Sequence, residues 1–387
     1  MTTGRQHGTL ARSEVARVET APSGAPGPSL TASGGMEQRQ AEKLPVTIIT
    51  GFLGSGKTTV LNRLVKQPGM QSTAVIINEF GEIGIDHLLV ETSSELMVEL
   101  NNGCICCTIR GDLADKLGSL AMWVDVGRVP PVERVIVETT GLADPAPIMH
   151  TLMVEPDLLS RYRLDRVVTV VDAIAGAGSL DRFPEATKQI AVADVLILAK
   201  TDLVATLSSP QACAELTARI RALNPRARIV EAVGGAIDPE LCFGSPGDDV
   251  EGMFAALAAR GAAADACDHE DPSHAGHGAG TARHDIRAAG IGSFVIELTK
   301  AVDGDRFNEV LQGLARDFGQ HLLRTKGILH VASVPEKPAV VHGVQHVFFP
   351  VTWLDRWPVG ERSSRLVFIT QHLAPDVVRN RIMEHFE

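Results

Sequence analysis

The sequence has little cysteine, no long hydrophobic run and no excess of basic charge. It contains 387 residues, six cysteines and a formal net charge of −11 at pH 7. No apolar run reaches the roughly 18 residues of a membrane-spanning helix, and the amino terminus lacks the apolar core of a secretory signal. The acidic balance argues against binding to nucleic acid by neutralisation of phosphates. So few cysteines do not make a secreted disulfide scaffold. We therefore expect a cytoplasmic protein with no nucleic-acid or membrane partner.

The chain divides by composition into four segments. Residues 1–43 are rich in small residues and proline without apolar periodicity, which predicts a disordered amino-terminal arm; initiation at Met36 is an alternative. Residues 44–254 alternate short aliphatic runs with stretches of helical length, which predicts an α/β domain with a mostly parallel sheet covered on both faces. The predicted strands are 46–50, 73–78, 134–138, 166–171, 194–199 and 227–230.

The carboxyl-terminal third changes pattern. Residues 255–290 are rich in alanine and glycine and have no core-forming period, so we expect a flexible linker that contains histidines. Residues 291–387 predict a smaller α+β domain. Strand-like alternation occurs at 293–299 and 366–370, and apolar residues recur at helical spacing in 305–319 and 374–386.

A phosphate-binding loop follows the first predicted strand. The sequence "GFLGSGKTT" has the pattern G-x-x-x-x-G-K-[ST] between a strand and a helix, which is the context that this motif requires. Glycines let backbone N–H groups turn toward phosphate, and the helix amino terminus favours negative charge. Lys57 would contact the β- and γ-phosphates, and the Thr58 hydroxyl would bind Mg²⁺. The expected nucleotide-binding residues are Gly51, Gly54, Ser55, Gly56, Lys57, Thr58 and Thr59.

Acidic residues end two further predicted strands. Glu138 closes "RVIVE" and leads into "TTGLADP", where a phosphate-loop protein places the carboxylate that orients water around Mg²⁺. Lys57 and Glu138 are therefore the expected catalytic residues, and the Gly141 N–H is an expected contact for a γ-phosphate. Asp172 closes "VVDA"; a functional role and a solvated strand end are equally compatible with its position.

The sequence "LILAKTDL" resembles the guanine-reading N-K-x-D element of GTPases. The carboxylate of Asp202 would accept hydrogen bonds from N1–H and the exocyclic amine of guanine, which adenine does not present, and Lys200 would complete the site. The usual asparagine is replaced by Ala199, which predicts a softened preference for guanine. A charged turn after a strand is the alternative interpretation.

Three cysteines are crowded into "NNGCICCT". Cys104, Cys106 and Cys107 do not have the spacing of a redox C-x-x-C pair. Clustered thiolates suit a soft divalent ion, above all zinc, and leave a fourth position open. "NEFGEIGID" offers Glu79 and Glu82 as oxygen ligands. Buried structural cysteines remain the alternative, since free cysteine is often buried.

Histidines in the linker form a second candidate for metal binding. Histidine-rich tracts in flexible segments often bind metal, and we expect weak binding here because nothing preorganises the ligands. Cys213 and Cys242 have no ligand residues close in sequence, so we interpret them as structural. The linker ligands are His269, His274 and His277, with His284, Cys267 and nearby carboxylates as neighbours.

The motifs, taken in order, resemble the CobW-type GTPases, and the sequence from "LLRTKGILHVAS" to "SRLVFITQHL" resembles the carboxyl-terminal domain of that family. The resemblance implies a SIMIBI-type P-loop GTPase domain with slow, Mg²⁺-dependent hydrolysis of GTP. It also implies zinc bound by Cys104, Cys106 and Cys107, with Glu82 as an accessory ligand. Client apo-metalloproteins are the implied partners, and a homodimer is left open.

We therefore expect a metallochaperone whose nucleotide state controls its affinity for zinc. Three alternatives stay open at this point. Co²⁺ could replace Zn²⁺, since family members also serve cobalamin synthesis and the assembly of nitrile hydratase. The protein could be a P-loop kinase of a small molecule, with structural thiols. It could also be a passive zinc buffer that uses the linker histidines.

Overall fold

The computed structural model describes residues 43–79, 97–101, 109–244, 290–349, 351–357 and 362–386. Two sheets organise these residues. One has seven parallel strands and lies amino-terminal to residue 244, and the other has six antiparallel strands and lies between residues 291 and 371. The α/β class with a smaller α+β unit, as predicted, is confirmed.

The parallel sheet has the strand order β3-β2-β4-β1-β5-β6-β7. The first strand along the chain lies near the centre, so the helical crossovers run to both sides and cover both faces. The strands are β1 (Leu44–Thr50), β2 (Thr73–Glu79), β3 (Met97–Asn101), β4 (Arg134–Glu138), β5 (Tyr162–Asp172), β6 (Val195–Ala199) and β7 (Arg228–Ala232).

Helices pack on each face of this sheet. Alternate residues of one strand serve opposite faces: Ile48 belongs to the core formed with α2 and α3, whereas Ile49 belongs to the core formed with α1. The helices are α1 (Lys57–Val65), α2 (Ile109–Asp125), α3 (Ala146–Val154), α4 (Pro156–Arg161), α5 (Gly176–Arg182), α6 (Pro184–Ala191), α7 (Val204–Leu207), α8 (Pro210–Leu223) and α9 (Pro239–Cys242).

The second sheet has the order β11-β10-β9-β13-β8, with β12 paired to β10. Helices α10 and α11 pack with it around a core that includes Phe307 and Phe368. Its elements are β8 (Ile291–Leu298), α10 (Gly304–Phe318), β9 (Leu322–Leu329), β10 (Ala339–Val344), β11 (Val347–Phe348), β12 (Thr352–Trp353), β13 (Ser364–Gln371) and α11 (Pro375–Phe386).

The two units share an apolar core and a buried ion cluster. Ile291, Leu323 and Val344 of the second unit belong to the same core as α2 and α3 of the first. Asp194, just before β6, accepts hydrogen bonds from Arg324 at 2.6 Å and from Lys326 at 3.2 Å, both on β9. The carboxyl-terminal unit is therefore fixed by burial and by charge to the end of the parallel sheet where β6 begins.

Two strands of the parallel sheet differ most from the sequence-based prediction, and β9 to β12 of the second sheet were not predicted. Strand β5 begins at Tyr162 rather than residue 166, because Tyr162 is buried and its hydroxyl donates to the Leu117 carbonyl at 2.7 Å. Strand β3 was not predicted at all. Within the described ranges, no helix combines the length and the apolar character needed to cross a bilayer.

Candidate nucleotide site

The loop between β1 and α1 depends on glycine. Gly51, Gly54 and Gly56 have φ values of 142°, 70° and 98°, a region that side-chain-bearing residues rarely adopt. A Cβ on Gly51 would also lie 2.2 Å from the carbonyl oxygen of Val170 on β5. Helix α1 then begins at Lys57, as the motif predicts. The sequence therefore folds here into a tight loop that leads into a helix amino terminus, the geometry that binds phosphate.

The Lys57 ammonium lies inside this loop. It donates to the Gly51 carbonyl at 2.9 Å and to the Phe52 carbonyl at 3.2 Å. The Ser55 hydroxyl is buried and has no hydrogen-bond partner among the described residues. A buried hydroxyl without a partner is costly, and an oxygen-rich ligand in the loop would remove that cost. The loop thus presents a cation and an unused donor toward a phosphate-bearing ligand.

Thr58 and Glu138 meet at the carboxyl edge of the sheet. The Thr58 hydroxyl donates to Glu138 Oε1 at 2.8 Å, and Glu138 is 4% exposed. Strand β4 is a neighbour of β1 in the sheet, with Glu138 opposite Ile49, which brings the carboxylate to the phosphate loop. A hydroxyl and a carboxylate are the hard oxygen ligands that Mg²⁺ prefers. This donor set fits a Mg²⁺ ion held by Thr58 with Glu138 next to it.

The segment after β4 contacts the phosphate loop directly. A Cβ on Gly141 would lie 2.7 Å from the backbone of Leu53, so only glycine allows this approach. The Gln189 amide on α6 donates to the carbonyls of Gly141 at 3.2 Å and Ala143 at 2.9 Å. Gln189 is a positioning residue that no sequence pattern indicated, because it lies in a helix 48 residues away from Gly141.

Lys200 bridges the base-binding segment and the phosphate loop. Its ammonium donates to the Gly54 carbonyl at 2.7 Å and to Asp172 at 2.6 Å. The second oxygen of Asp172 accepts from the backbone N–H of Ile174 at 2.7 Å. Lys200 itself has φ 62°, a strained value that this pairing helps to hold. Asp172 therefore pairs with Lys200 and is largely shielded from solvent.

Asp202 lies beside a glycine turn after β7. Its Oδ1 accepts the N–H of Gly234 at 3.0 Å, and Gly234 has φ 54°. Ala199 packs near Gly56, since a Cβ on that glycine would lie 3.7 Å from the Ala199 Cβ. The segment with the predicted base-binding residues thus adjoins the phosphate loop. The turn at Gly234 contacts this segment through Asp202, and nothing in the sequence motif indicated that turn.

The predicted metal ligands lie outside the described residues. These are Cys104, Cys106, Cys107, Glu82, His269, His274 and His277. The structure does describe the backbone just before the thiols. Strand β3 ends at Asn101, which pairs in parallel with Glu79 of β2, and Ile77 of β2 pairs with Glu138 of β4. The chain therefore enters the cysteine segment at the sheet edge where Glu138 lies.

The other two cysteines behave as structural residues. Cys242 is fully buried, and burial raises the pKa of its thiol to about 12. Burial also raises the pKa of Cys213, and the nearby Glu231 adds to this shift. Metals bind the thiolate, so the buried thiol of Cys242 is a poor ligand at neutral pH. Across the part of the chain that the structure describes, no group of three or more histidine, cysteine or acidic residues could hold a metal ion.

Comparison with known proteins adds the family. The model described as "CobW/HypB/UreG, nucleotide-binding domain" matches residues 45–231, and the model of the "Cobalamin synthesis protein cobW C-terminal domain" matches residues 291–385. The chain is 31% identical to the zinc chaperone YjiA of Escherichia coli, over 87% of this chain and 96% of that protein. It is also 31% identical to the zinc chaperone CobW of Pseudomonas aeruginosa, over 91% and 94%.

A solved structure agrees with these relatives. The crystal structure of Zn(II)-bound YjiA GTPase from E. coli superposes with a TM-score of 0.64 at 27% identity, covering 89% of this chain and 99% of that one. The match spans both sheets, and the sequence identity holds over nearly the whole length of the relatives. The chain therefore belongs to the CobW/HypB/UreG family of P-loop GTPases.

Proposed function

We propose that this protein is a GTP-hydrolysing metallochaperone that binds zinc through Cys104, Cys106 and Cys107 and transfers it to client apo-metalloproteins. One observation carries the proposal. The Thr58–Glu138 contact of 2.8 Å lies at the sheet edge from which β3 leads into the cysteine segment. A nucleotide at Thr58 and a metal ion at the thiols would therefore act on adjacent segments. The names of the relatives, zinc chaperone and zinc-regulated GTPase metalloprotein activator, support the same assignment.

The phosphate loop supplies the residues for hydrolysis. Lys57 provides positive charge for the β- and γ-phosphates, and the backbone N–H of Gly141 donates a hydrogen bond to the γ-phosphate. Glu138 orients the attacking water and holds Thr58 in place. Thr58 would hold Mg²⁺, which neutralises the charge that develops between the phosphates. Lys200 and Asp202 bind the guanine base.

Asp202→Asn tests the assignment of the base. Asparagine keeps one acceptor oxygen, so the bond from the Gly234 N–H can persist. It replaces the second acceptor with a donor, which opposes the guanine donors. Hydrogen bonds to charged groups contribute about 1.5–3 kcal/mol, so the KM for GTP should rise by about 10-fold or more while the KM for ATP stays constant. Steady-state competition between GTP and ATP measures this ratio.

A matched control uses a remote acidic residue. Asp305→Asn, at an exposed position on α10, should leave both KM values unchanged. An unchanged GTP-to-ATP preference in Asp202→Asn would show that Asp202 belongs to an ordinary charged turn, and the nucleotide specificity would then lie elsewhere.

The proposed metal cycle couples two segments that the nucleotide orders. With GTP bound and Mg²⁺ held by Thr58, the segments "NEFGEIGID" and "NNGCICC" would come together, so that the three thiolates converge on zinc with Glu82 as an accessory ligand. Hydrolysis removes this ordering and weakens the site, in the manner of other nucleotide-controlled loops. The linker residues His269, His274 and His277 collect the ion weakly. Metal binding by thiolates requires reduced cysteines, which favours the cytoplasm for this activity, and a nucleotide-dependent homodimer is compatible with it.

Zinc transfer is the direct test of this cycle. The zinc-loaded protein is mixed with a chromogenic zinc chelator, and the release rate is followed with GTP, a non-hydrolysable GTP analogue or GDP. Release should be fast with GDP and after GTP turnover, and slow with the analogue. Equal rates in the three states would support a passive buffer. Phosphorylation of a small-molecule acceptor would instead support a kinase.

A further inference from the structure

Two histidines from different domains face each other across the interface. His150 on α3 and His346 in the turn between β10 and β11 place their Nε2 atoms 2.9 Å apart. The ring centroids are 4.7 Å apart and the planes are tilted by 47°. His346 is exposed and His150 is half-buried, so water reaches the pair. Neither histidine is among the residues assigned above to the nucleotide site or to the predicted thiol site.

The backbone on each side of the pair is fixed. His150 lies between Met149 and Thr151, both of which are fully buried on α3. On the other side, the N–H of Gln345 donates to the Leu322 carbonyl at 2.7 Å. The backbone of Gly319 also packs against His346, since a Cβ there would lie 2.5 Å from the His346 Cβ. The two imidazoles are therefore presented to each other by rigid elements, and little ordering remains for a ligand to impose.

Two such nitrogens have nearly the geometry of a metal chelate. Zn²⁺–N bonds are about 2.0–2.1 Å long with tetrahedral angles, which places two ligand nitrogens about 3.4 Å apart. The nitrogens need to separate by about half an ångström, and each ring has to turn so that its lone pair points at the ion, which side-chain rotations allow. We propose that His150 and His346 form a second transition-metal site, for Zn²⁺ or Co²⁺, that links the two domains.

The composition of this site indicates an exchangeable ion. Among the residues that the structure describes, no group of three or more histidine, cysteine or acidic residues includes this pair, so the two imidazoles would leave coordination positions for water or a further ligand. Catalytic and transfer sites keep positions open in this way, whereas structural zinc sites have four protein ligands. An ion held by two imidazoles can pass to a set of stronger ligands, which suits an intermediate site in metal transfer.

The pair also adjoins the segment that contacts the phosphate loop. Helix α3 begins at Ala146, directly after residues 139–145, and Gly141 of that segment touches Leu53. His346 belongs to the carboxyl-terminal sheet. A bound ion therefore ties the carboxyl-terminal domain to the helix that follows the nucleotide-contacting segment. This site stands independently of the thiol site, and its failure would leave the proposed function intact.

The experiment isolates the pair from the other ligands in the full-length chain. The background variant replaces Cys104, Cys106 and Cys107 with serine and His269, His274, His277 and His284 with glutamine. Zn²⁺ alone is titrated calorimetrically into this background and into His150→Gln, His346→Gln and His385→Gln added to it. His385 is exposed on α11 and serves as the matched control.

The background and the His385→Gln variant should each bind one Zn²⁺. His150→Gln and His346→Gln should each weaken binding by at least about tenfold, since loss of a supporting ligand contact alone costs 10- to 100-fold. Electron paramagnetic resonance with Cu²⁺ should show two imidazole nitrogens in the background and one in each variant, and thermal unfolding in EDTA checks that the variants fold. Zinc affinity in His150→Gln and His346→Gln equal to that of His385→Gln would overturn the proposal.

Discussion

Replacing Lys57 with alanine is expected to lower kcat for GTP hydrolysis by about 10²–10³-fold, the usual effect of removing one preorganised electrostatic group. The Lys57 ammonium is held in the phosphate loop by the carbonyls of Gly51 and Phe52. Its charge is therefore already in position when the γ-phosphate develops negative charge. Alanine removes that charge and leaves the glycine-dependent loop intact. Phosphate release at saturating GTP measures the change.

The matched control is Lys66→Ala at the end of the same helix, where the side chain is exposed. This variant should hydrolyse GTP at the wild-type rate. Thermal unfolding without nucleotide checks that both variants keep the wild-type fold. Hydrolysis at the wild-type rate by Lys57→Ala would contradict the catalytic assignment of this loop.

Replacing Asp194 with asparagine is expected to lower the free energy of unfolding by about 3–5 kcal/mol, the cost of breaking a buried ion pair by removing one partner. Asp194 pairs with Arg324 and Lys326, and all three side chains are about one-tenth exposed or less. Asparagine can still accept the hydrogen bond from the Val167 N–H, but it removes the negative charge that faces Arg324 and Lys326. Denaturant unfolding measures the loss.

An exposed ion pair supplies the control for this variant. Asp317→Asn removes the partner of Arg381, whose side chain is 42% exposed, and a pair of this kind contributes little. Its unfolding midpoint should stay close to that of the wild type. Equal midpoints for Asp194→Asn and Asp317→Asn would show that the domains are held by apolar burial alone.

The same cluster predicts how stability depends on pH. Burial alone would raise the pKa of Asp194, but the charges of Arg324 and Lys326 outweigh it and hold the pKa well below its usual value. Burial lowers the pKa of His342 well below its usual range, and both cations add to this shift. Because both pKa values are lower in the folded protein, each group binds a proton more readily in the unfolded chain than in the folded one as the pH falls. Stability should therefore fall first below about pH 6.5 and again below about pH 4, and Asp194→Asn should lack the second fall.

The parallel sheet and the phosphate loop could be predicted because their signals are local. Buried parallel strands are continuous aliphatic runs, so the run at 134–138 matches β4 at Arg134–Glu138. The phosphate loop is specified by glycines whose φ values exclude other residues, as at Gly51. The carboxyl ends of parallel strands lie at the same edge of a sheet. The order of the strands and the loop therefore predicts that Thr58, after β1, lies close to Glu138, at the end of β4.

Contacts between distant residues could not be predicted in this way. Gln189 lies on α6, which follows β5 in the chain, and its amide donates to the carbonyl of Gly141, which follows β4. No local sequence pattern marks such a contact. Strand β3 at Met97–Asn101 is five residues long with polar residues at 99 and 101, so it lacks the aliphatic signal of its neighbours. The ion pair of Asp172 with Lys200, which is 28 residues away, is a further contact of this kind.

The central claim is that the nucleotide state controls zinc affinity at Cys104, Cys106 and Cys107. The most direct measurement is a competition titration of Zn²⁺ against a chelator of known affinity, with the non-hydrolysable GTP analogue, with GDP and without nucleotide. The wild type should bind zinc most tightly with the analogue, and by reciprocity zinc should tighten the analogue by the same factor. The triple serine variant should lose both effects while it still binds nucleotide. Equal zinc affinity of the wild type in the three nucleotide states would contradict the account.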